Sequence, residues 1–315
     1  MPVTRADLDA AAERVRSFVV RTPVLSSGAF DEWIGASTWC KAEHRQHAGS
    51  FKYRGATNAV RSIDDAVASR GVAAHSSGNH AAALALAATT RGIPCTVVMP
   101  RTVSTVKRAR VASYGAEIVE CEPTEAERIA TLRAVIARSG ATEVHPYDDD
   151  RVIAGAGTAA IELFADVPDL SVVIAPVGGG GLISGTCIAA TSVGCRVLAG
   201  EPSGADDAYR SLEEGRLIPQ RAPATIADGL LTSLSERTFA IIRNHVEQIV
   251  CVSESEIVEA HVAVSTHLGE RVEPSSAVAV AALRIAVAQR MIPAGARCGI
   301  ILTGGNVGEH PPALG

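Results

Sequence analysis

Short apolar segments alternate with segments of helical periodicity along most of the chain, and this alternation restricts the fold more than any other feature. It is typical of βαβ units, in which crossover helices join parallel strands. Strands are predicted at residues 38–40, 72–75, 95–99, 117–121, 144–145, 172–177, 196–200, 249–252 and 298–302. Helices are predicted at residues 4–18, 52–63, 81–89, 103–114, 124–138, 153–164, 182–191, 205–214 and 236–246, with two more before the last strand. The sequence therefore predicts an α/β protein with two lobes and a cleft between them.

The composition supports helices packed on buried parallel sheets. Hydrophobic residues make up 47% of the 315 residues but aromatic residues only 3%, so Ala, Val, Ile and Leu must fill the core. The formal net charge of −5 and the pI near 6.0 provide no basic face for a nucleic acid. A small molecule is the better expectation for the ligand.

The start of the chain and the cysteines indicate the compartment. Charged residues between Arg5 and Arg16 interrupt the apolar core that a signal peptide would need, and no later apolar run reaches the length of a membrane span. Seven cysteines without CxxC spacing argue against a disulfide framework and a structural zinc site. We therefore expect a cytoplasmic protein with no membrane partner.

Residues 49–55 read GSFKYRG and place Lys52 between Phe51 and Tyr53. Aromatic neighbours can desolvate an amine, lower its pKa and leave it free to act as a nucleophile or a base. Such an amine can hold an aldehyde as a Schiff base. A solvated lysine with its stem on aromatic rings would have the same local sequence, so the assignment depends on the rest of the chain.

Two predicted strands lead directly into turns that open helices, where ligands bind in open α/β sheets. The turn at residues 76–80 offers hydroxyl and amide groups that suit a carboxylate, although an ordinary helix cap has similar residues. Its members are Ser76, Ser77, Gly78, Asn79 and His80. The second turn offers consecutive backbone N–H groups to a phosphate-sized anion, and four adjacent glycines are hard to explain by packing alone. Its members are Gly178, Gly179, Gly180 and Gly181, followed by Leu182.

Polar side chains also follow two other predicted strands. Thr303 comes directly after the strand at residues 298–302, so its hydroxyl can point into the cleft. Glu201, Asp206 and Asp207 surround a turn and could bind a hard cation through oxygen. Acids that favour the dipole of the following helix would give the same pattern.

An amine, a phosphate site, a carboxylate site and a hydroxyl at one cleft are what a phosphorylated aldehyde cofactor acting on amino acids requires. The sequence resembles the fold-type II, or tryptophan synthase β-like, pyridoxal-phosphate enzymes, in the branch of serine/threonine dehydratases and serine racemases. The matching motifs occur in family order at residues 50–56, 76–80, 178–182, 201–202, 227–229, 273–277 and 303–307.

The resemblance implies a domain organisation and an assembly. A large cofactor-binding domain would comprise residues 1–68 and 148–315, and a small mobile domain would comprise residues 69–147. The regulatory C-terminal domain of biosynthetic threonine deaminases has no counterpart here. A homodimer is expected by analogy.

The resemblance also implies the roles of the cofactor residues. Lys52 would carry pyridoxal 5'-phosphate as a Schiff base beside Phe51, and residues 178–182 would bind its phosphate. Asn79 would contact the 3'-oxygen, and Thr303 would face the pyridine nitrogen. A neutral hydroxyl there does not hold the ring protonated, which suits β-elimination better than transamination.

By the same resemblance, the substrate carboxylate binds Ser76, Ser77, Asn79 and His80, while Lys52 removes the α-proton. Loss of the β-hydroxyl and hydrolysis then give a 2-oxo acid and ammonia. Ser77 matches the acid/base on the second face in serine racemases, and racemisation requires such a group whereas elimination does not.

Two further assignments rest on the resemblance. Arg128 matches an arginine linked to the substrate carboxylate. Glu201, the Ala205 carbonyl and Asp207 match the Mg²⁺ site of the racemase-like branch.

Four positions near the site depart from the family pattern, namely His44, Ala48, Ala82 and Ala156. They bear on the identity of the substrate more than on the cofactor. Residues 145–149 and 205–210 also resemble 3-hydroxyaspartate dehydratases, whose dicarboxylic substrate needs an additional cation or amide that the sequence alone does not identify.

We therefore predict an ammonia-lyase that dehydrates and deaminates a β-hydroxy amino acid, with L-serine or L-threonine as the first expectation. Serine racemase and 3-hydroxyaspartate dehydratase are the alternatives.

Overall fold

A computed structural model describes residues 3–307 and contains two β-sheets. The strands within this range are β1 (Val24–Leu25), β2 (Ser37–Ala42), β3 (Val72–His75), β4 (Cys95–Pro100), β5 (Glu117–Cys121), β6 (Thr142–Glu143), β7 (Val172–Pro176), β8 (Arg196–Pro202), β9 (Gln248–Val252) and β10 (Arg297–Leu302). The large sheet has the order β1-β2-β10-β7-β8-β9, and the small sheet has the order β5-β4-β3-β6. All neighbours are parallel except β1 and β2.

Helices connect the strands and cover both faces of the large sheet. The α-helices in the described range are α1 (Arg5–Val15), α2 (Gly28–Ile34), α3 (Lys52–Arg61), α4 (Asp65–Ala68), α5 (Asn79–Arg91), α6 (Thr105–Ser113), α7 (Glu125–Ser139), α8 (Asp150–Asp166), α9 (Gly181–Thr191), α10 (Asp207–Glu214), α11 (Glu236–His245), α12 (Glu254–Ala263) and α13 (Pro274–Ala288). The chain turns in 3₁₀-helices at Glu43–Arg45, His47–Gly49, Ser203–Ala205 and Asp228–Leu230, and a π-helix occupies Val264–Leu268.

The core is made of small aliphatic side chains, as the composition predicts. On one face of the large sheet α8 and α9 pack closely because both carry glycine at their contact: a Cβ atom on Gly185 would lie 2.6 Å from the Gly157 nitrogen. On the other face α12 and α13 bury residues such as Val278 and Leu283. The small sheet has its own apolar clusters around α5 and α7. The two sheets are thus packed separately.

The predicted alternation of strands and helices is confirmed, but one predicted strand needs correction and some short elements were not predicted. The strand predicted at residues 144–145 is wrong, because β6 ends at Glu143. Val144 misled the prediction: its side chain is buried and its N–H still donates to the Ala73 carbonyl (3.0 Å), but the chain then turns through Pro146. Strand β1 and helix α2 were not predicted, because they are short.

A buried ionic network fixes the start of α3. The guanidinium of Arg54, which is fully buried, donates to Glu43 (Nε to Oε2, 2.7 Å) and to Glu162 (Nη2 to Oε2, 2.7 Å). Lys41 is also buried, and its amine pairs with Glu162 at 2.6 Å. The network therefore joins β2, α3 and α8, and it lies two residues after Lys52.

None of the helices within residues 3–307 is long and apolar enough to cross a membrane. All seven cysteines are free thiols.

Replacing Arg54 by Ala should lower the free energy of unfolding by about 3–5 kcal/mol, because Glu43 would stay buried without its cation. Replacing Arg16, which forms an exposed pair with Glu13, should cost less than about 1 kcal/mol. Urea denaturation followed by circular dichroism measures both changes. Equal losses in the two variants would show that the buried network adds nothing to stability.

Candidate active site

Lys52 is the first residue of α3 and lies between the two sheets. The preceding residue is tied to the end of β10, since the Phe51 N–H donates to the Thr303 carbonyl at 3.0 Å. The Lys52 amine donates to the Pro146 carbonyl at 2.9 Å and lies 5.1 Å from the centre of the Phe51 ring. The predicted contact with Tyr53 is not found, because the Tyr53 ring packs against His47 instead.

Burial lowers the pKa of the Lys52 amine to about 8, while the nearby Glu273 carboxylate acts in the opposite direction. About a tenth of the amine is therefore unprotonated at pH 7, far more than for a lysine with the ordinary pKa of about 10.4. This is the state that attacks an aldehyde or accepts a proton.

Asn79 is held at both ends of its amide. Its nitrogen donates to Glu273 Oε2 at 2.8 Å, and its oxygen accepts from Asn306 at 2.8 Å. Burial raises the pKa of Glu273 to about 7, and the hydrogen bond from Asn79 opposes this shift. Sequence reasoning assigned Asn79 but not Glu273 or Asn306, although both lie in motifs that it had singled out.

Thr303 is buried at the end of β10. Its hydroxyl lies 2.9 Å from the Ser276 hydroxyl, which also accepts from the Gly304 N–H at 2.9 Å. The neutral pair places no carboxylate at the position predicted for the pyridine nitrogen.

The loop from Ser76 to His80 follows β3, as predicted. Ser76 and Ser77 are partly exposed, and Ser77 lines a cavity of about 260 Å³. The His80 ring is turned inward, where its Nε2 lies 2.9 Å from the Val144 carbonyl. Burial lowers the pKa of His80 to about 3, so the ring is neutral and only its backbone faces the loop.

The glycine loop joins β7 to α9. Within residues 3–307, no acceptor is found for the N–H groups of Gly178, Gly179 and Gly180, which lie at a helix N-terminus. The absence of side chains has a steric reason as well. A Cβ atom on Gly178 would lie 3.0 Å from Leu230, and one on Gly179 would overlap the ring of Tyr147. Packing therefore favours glycine at these two positions as well, while anion binding by the loop stays a prediction.

Sequence reasoning missed the contribution of the segment 145–149, which leads from β6 to α8. Pro146 holds the Lys52 amine, and the Tyr147 ring covers the glycine loop. The segment is fixed on the far side because Arg237 donates to the Asp148 carbonyl at 2.6 Å. These contacts join residues far apart in sequence and have no local signal.

Arg128 lies on α7, near the carboxylate loop. Its charge contributes to lowering the pKa of His75, after burial, and also acts on Tyr147. The Arg128 Nε is buried, and it has no hydrogen-bond partner among the described residues. Arg128 is therefore a cation available to a second anion beside the loop.

Glu201 lies near the end of β8, next to β7, and Asp207 is the first residue of α10. The Glu201 carboxylate accepts from the N–H groups of Ala208 (2.9 Å) and Tyr209 (2.7 Å). Burial raises the pKa of Glu201 to about 9 and that of Asp207 to about 6. Neither carboxylate pairs with a basic side chain of residues 3–307, and this region holds no cluster of three His, Cys, Asp or Glu side chains suited to a metal.

The four departures from the family pattern lie behind the site. The His44 ring contacts Glu270 (Nε2 to Oε2, 2.7 Å), and Ala48 adopts a left-handed conformation with φ of 56°. Ala82 and Ala156 are buried. These four residues therefore support the site and do not line it.

The residues present fit a phosphorylated aldehyde. Unpartnered N–H groups at a helix N-terminus suit the phosphate, and the Lys52 amine suits the aldehyde. Lys52, Asn79 and Thr303 are linked through their neighbours: the Phe51 N–H donates to the Thr303 carbonyl, and Glu273, which accepts from Asn79, donates its N–H to the Gly304 carbonyl. Glu201 lies on β8, two strands away from β10 in the large sheet.

The comparisons with known proteins agree with this arrangement. The β-hydroxyaspartate dehydratase of Paracoccus denitrificans (strain Pd 1222) is 49% identical over 306 residues, which cover 96% of each chain. The crystal structure of serine racemase from Dictyostelium discoideum has a TM-score of 0.93 at 40% identity and covers 97% of this chain and 99% of that chain. The crystal structure of a T.th. threonine deaminase has a TM-score of 0.90 at 40% identity and covers 98% of this chain and 100% of that chain.

These matches confirm the predicted fold-type II architecture. The sequence profile described as "Pyridoxal-phosphate dependent enzyme" matches residues 15–304. The chain therefore belongs to the family of pyridoxal-phosphate-dependent enzymes.

Proposed function

We propose that this chain dehydrates 3-hydroxyaspartate and that water then hydrolyses the resulting imine, so that the products are oxaloacetate and ammonia. The family and the relatives support a pyridoxal-phosphate-dependent β-elimination on a hydroxy amino acid. The first expectation from the sequence, L-serine or L-threonine, becomes the second candidate, which the similarity to a threonine deaminase favours.

The choice of a dicarboxylic substrate rests on Arg128, whose buried Nε has no hydrogen-bond partner in the described range. We assign the α-carboxylate of the substrate to the loop at residues 76–80, so a monocarboxylic amino acid has no second carboxylate for Arg128. The buried, unpartnered Nε of Arg128 would then remain without an acceptor, which is costly for a charged donor. A second carboxylate on the substrate satisfies it.

The other residues follow from their environment. The bound cofactor would draw electrons from the substrate Cα. Lys52 has the lowered pKa required of a base that accepts the α-proton, and the Pro146 carbonyl holds its amine. Asn79 is fixed by Glu273 and Asn306 and would lie beside the 3'-oxygen of the cofactor.

Serine racemase activity is a separate outcome at the same site. It requires an acid/base on the second face, and Ser77 is the predicted group. Because Ser77 lines a cavity open to solvent, we assign it first to carboxylate binding.

We propose Mg²⁺ at Glu201, the Ala205 carbonyl and Asp207. The support is the raised pKa of two buried carboxylates without a cationic partner in the described range. A divalent cation would hold both in the charged state.

The domain division at residues 69–147 also stays a proposal. Its support is that every strand of the small sheet falls within this range and every strand of the large sheet outside it. Residues 308–315, which the division assigns to the large domain, lie outside the described residues.

Wild-type enzyme should convert one 3-hydroxyaspartate diastereomer with a kcat/KM at least about 100-fold above that for L-serine, because only the dicarboxylate satisfies Arg128. Replacing Arg128 by Met should lower kcat/KM for 3-hydroxyaspartate about 30-fold and reduce the preference over L-serine. Release of 2-oxo acid measures both, and D-amino acids are scored in parallel.

The matched control is Arg133→Met, an exposed arginine of the same helix, which should leave the preference unchanged. If L-serine or L-threonine is the better substrate of the wild-type enzyme, the proposed substrate is wrong. If D-serine forms faster than the 2-oxo acid, the lyase assignment fails.

The cofactor-free protein should capture pyridoxal 5'-phosphate at a rate that rises with pH and levels off above pH 8, because the pKa of Lys52 is about 8. An exposed lysine would titrate near pH 10.4, about two units higher. Stopped-flow absorbance gives the rate, and borohydride reduction with peptide mapping identifies Lys52, using Lys52→Ala as the blank. A rate that still climbs at pH 10 would contradict a desolvated amine.

Added Mg²⁺ should raise the melting temperature of the wild-type protein, and Glu201→Gln should abolish that increase by removing a ligand. Glu213→Gln, an exposed acid on α10, should keep it. Thermal melts with chelator and with Mg²⁺ make the comparison. An identical response of all three proteins would leave Glu201 as a cap for the N–H groups of α10.

A further inference from the structure

A cavity opens at the carboxyl ends of β3 and β4, beside the proposed substrate site. Its volume is about 260 Å³, and its polar lining comprises Ser77, Thr102, Ser104 and Lys107. Ser77 belongs to the carboxylate loop, so any substrate held by that loop faces this cavity. Lys107 is the only basic side chain among the lining residues.

Lys107 is placed by the first turn of α6. Its N–H donates to the Ser104 hydroxyl at 3.4 Å, which caps the helix. Its amine pairs with Asp228 Oδ2 at 2.6 Å. The side chains of Lys107 and Asp228 are 46% and 55% exposed, and a pair this exposed adds little to stability. The lysine can therefore change its anionic partner at low energetic cost.

Asp228 belongs to the opposite side of the cleft. It begins the 3₁₀-helix Asp228–Leu230, and the N–H of Gly229 donates to the Ser275 hydroxyl at 3.0 Å. Leu230 packs against the glycine loop. Lys107 lies on α6, which joins β4 and β5 of the small sheet, and Asp228 begins a 3₁₀-helix that packs near the large sheet. Their ion pair therefore connects the two sides of the site.

The pair acts electrostatically on the interior of the site. Besides burial and the Asn79 hydrogen bond, Asp228 raises the pKa of Glu273 and Lys107 lowers it. Both charges are thus close enough to influence the acid that orients Asn79.

We propose that Lys107 is a specificity residue: it releases Asp228 and binds the side-chain carboxylate of a dicarboxylic substrate from this cavity, as a second cation in addition to Arg128. The inference deepens the proposed function and rests on it. Asp228 neutralises the charge of Lys107 before the substrate enters. When the pair separates, the Asp228 carboxylate is solvated at little cost because its side chain is already more than half exposed. A monocarboxylic substrate offers no competing anion and leaves the ion pair in place.

Kinetics with two substrates test the exchange. Replacing Lys107 by Met should raise KM for 3-hydroxyaspartate about 10-fold and KM for L-serine much less, because only the first contacts the lysine. Replacing Asp228 by Asn should lower KM for 3-hydroxyaspartate about 3-fold, because it removes the competing carboxylate. Arg108→Met removes a positive charge from the same helix outside the cavity lining, where Arg108 pairs with Glu120, and should change both KM values by less than about 2-fold.

Calorimetric titration of the holoenzyme with succinate, against acetate as the monocarboxylate, gives a readout that needs no turnover. Succinate should bind the wild type, bind Lys107→Met about 10-fold more weakly and bind Asp228→Asn more tightly. Failure of the wild type to convert 3-hydroxyaspartate would overturn the proposed function, while the succinate series still tests Lys107. Equal effects of Lys107→Met on both substrates, or unchanged succinate binding, would overturn the exchange and leave the pair as a contact between the two halves.

Discussion

The buried guanidinium of Arg54 is the interaction on which the rest of the site depends. It draws Glu43 of the 3₁₀-helix after β2 and Glu162 of α8 onto one side chain of α3. Charges removed from water have no alternative partners, so the three elements have one relative arrangement that satisfies them all. Lys52 lies half a turn earlier on α3, so the network that fixes this helix also fixes the position of Lys52. The Lys52 amine needs a helix that is held rigidly in place, because the groups on the other side of the cleft belong to a different sheet.

The parallel topology explains why the remaining groups meet. Thr303, the glycine loop and Glu201 lie at the carboxyl ends of β10, β7 and β8, which are neighbours in the large sheet. The small sheet contributes the loop after β3 and the cavity beside it. Each sheet thus presents one edge to the same space. The loop at residues 76–80 follows a strand of the small sheet, whereas the glycine loop and Lys52 follow strands of the large sheet, so the proposed substrate contacts draw on both.

Local motifs were predictable from the sequence, and contacts between distant segments were not. Lys52, the loop at residues 76–80 and the glycine loop each belong to a short continuous motif, and the two loops directly follow the ends of β3 and β7. Strand boundaries failed where an apolar residue such as Val144 is buried by a turn. The partners of Lys52 and Lys107, namely Pro146 and Asp228, lie 94 and 121 positions away, and the motifs that contain them do not indicate these contacts.

The Lys52 amine rests on a main-chain oxygen, that of Pro146. Every residue type supplies a carbonyl, so no single substitution at that position deletes the acceptor. A change in the path of the backbone would move this carbonyl. The hydrogen bond from Arg237 to Asp148 and the packing of the Tyr147 ring hold that path in place. The hydrogen bond of the Lys52 amine therefore depends on the backbone path of the loop and not on the residue type at position 146. Homologous enzymes could diverge widely in side chains along this segment while keeping the same poised lysine.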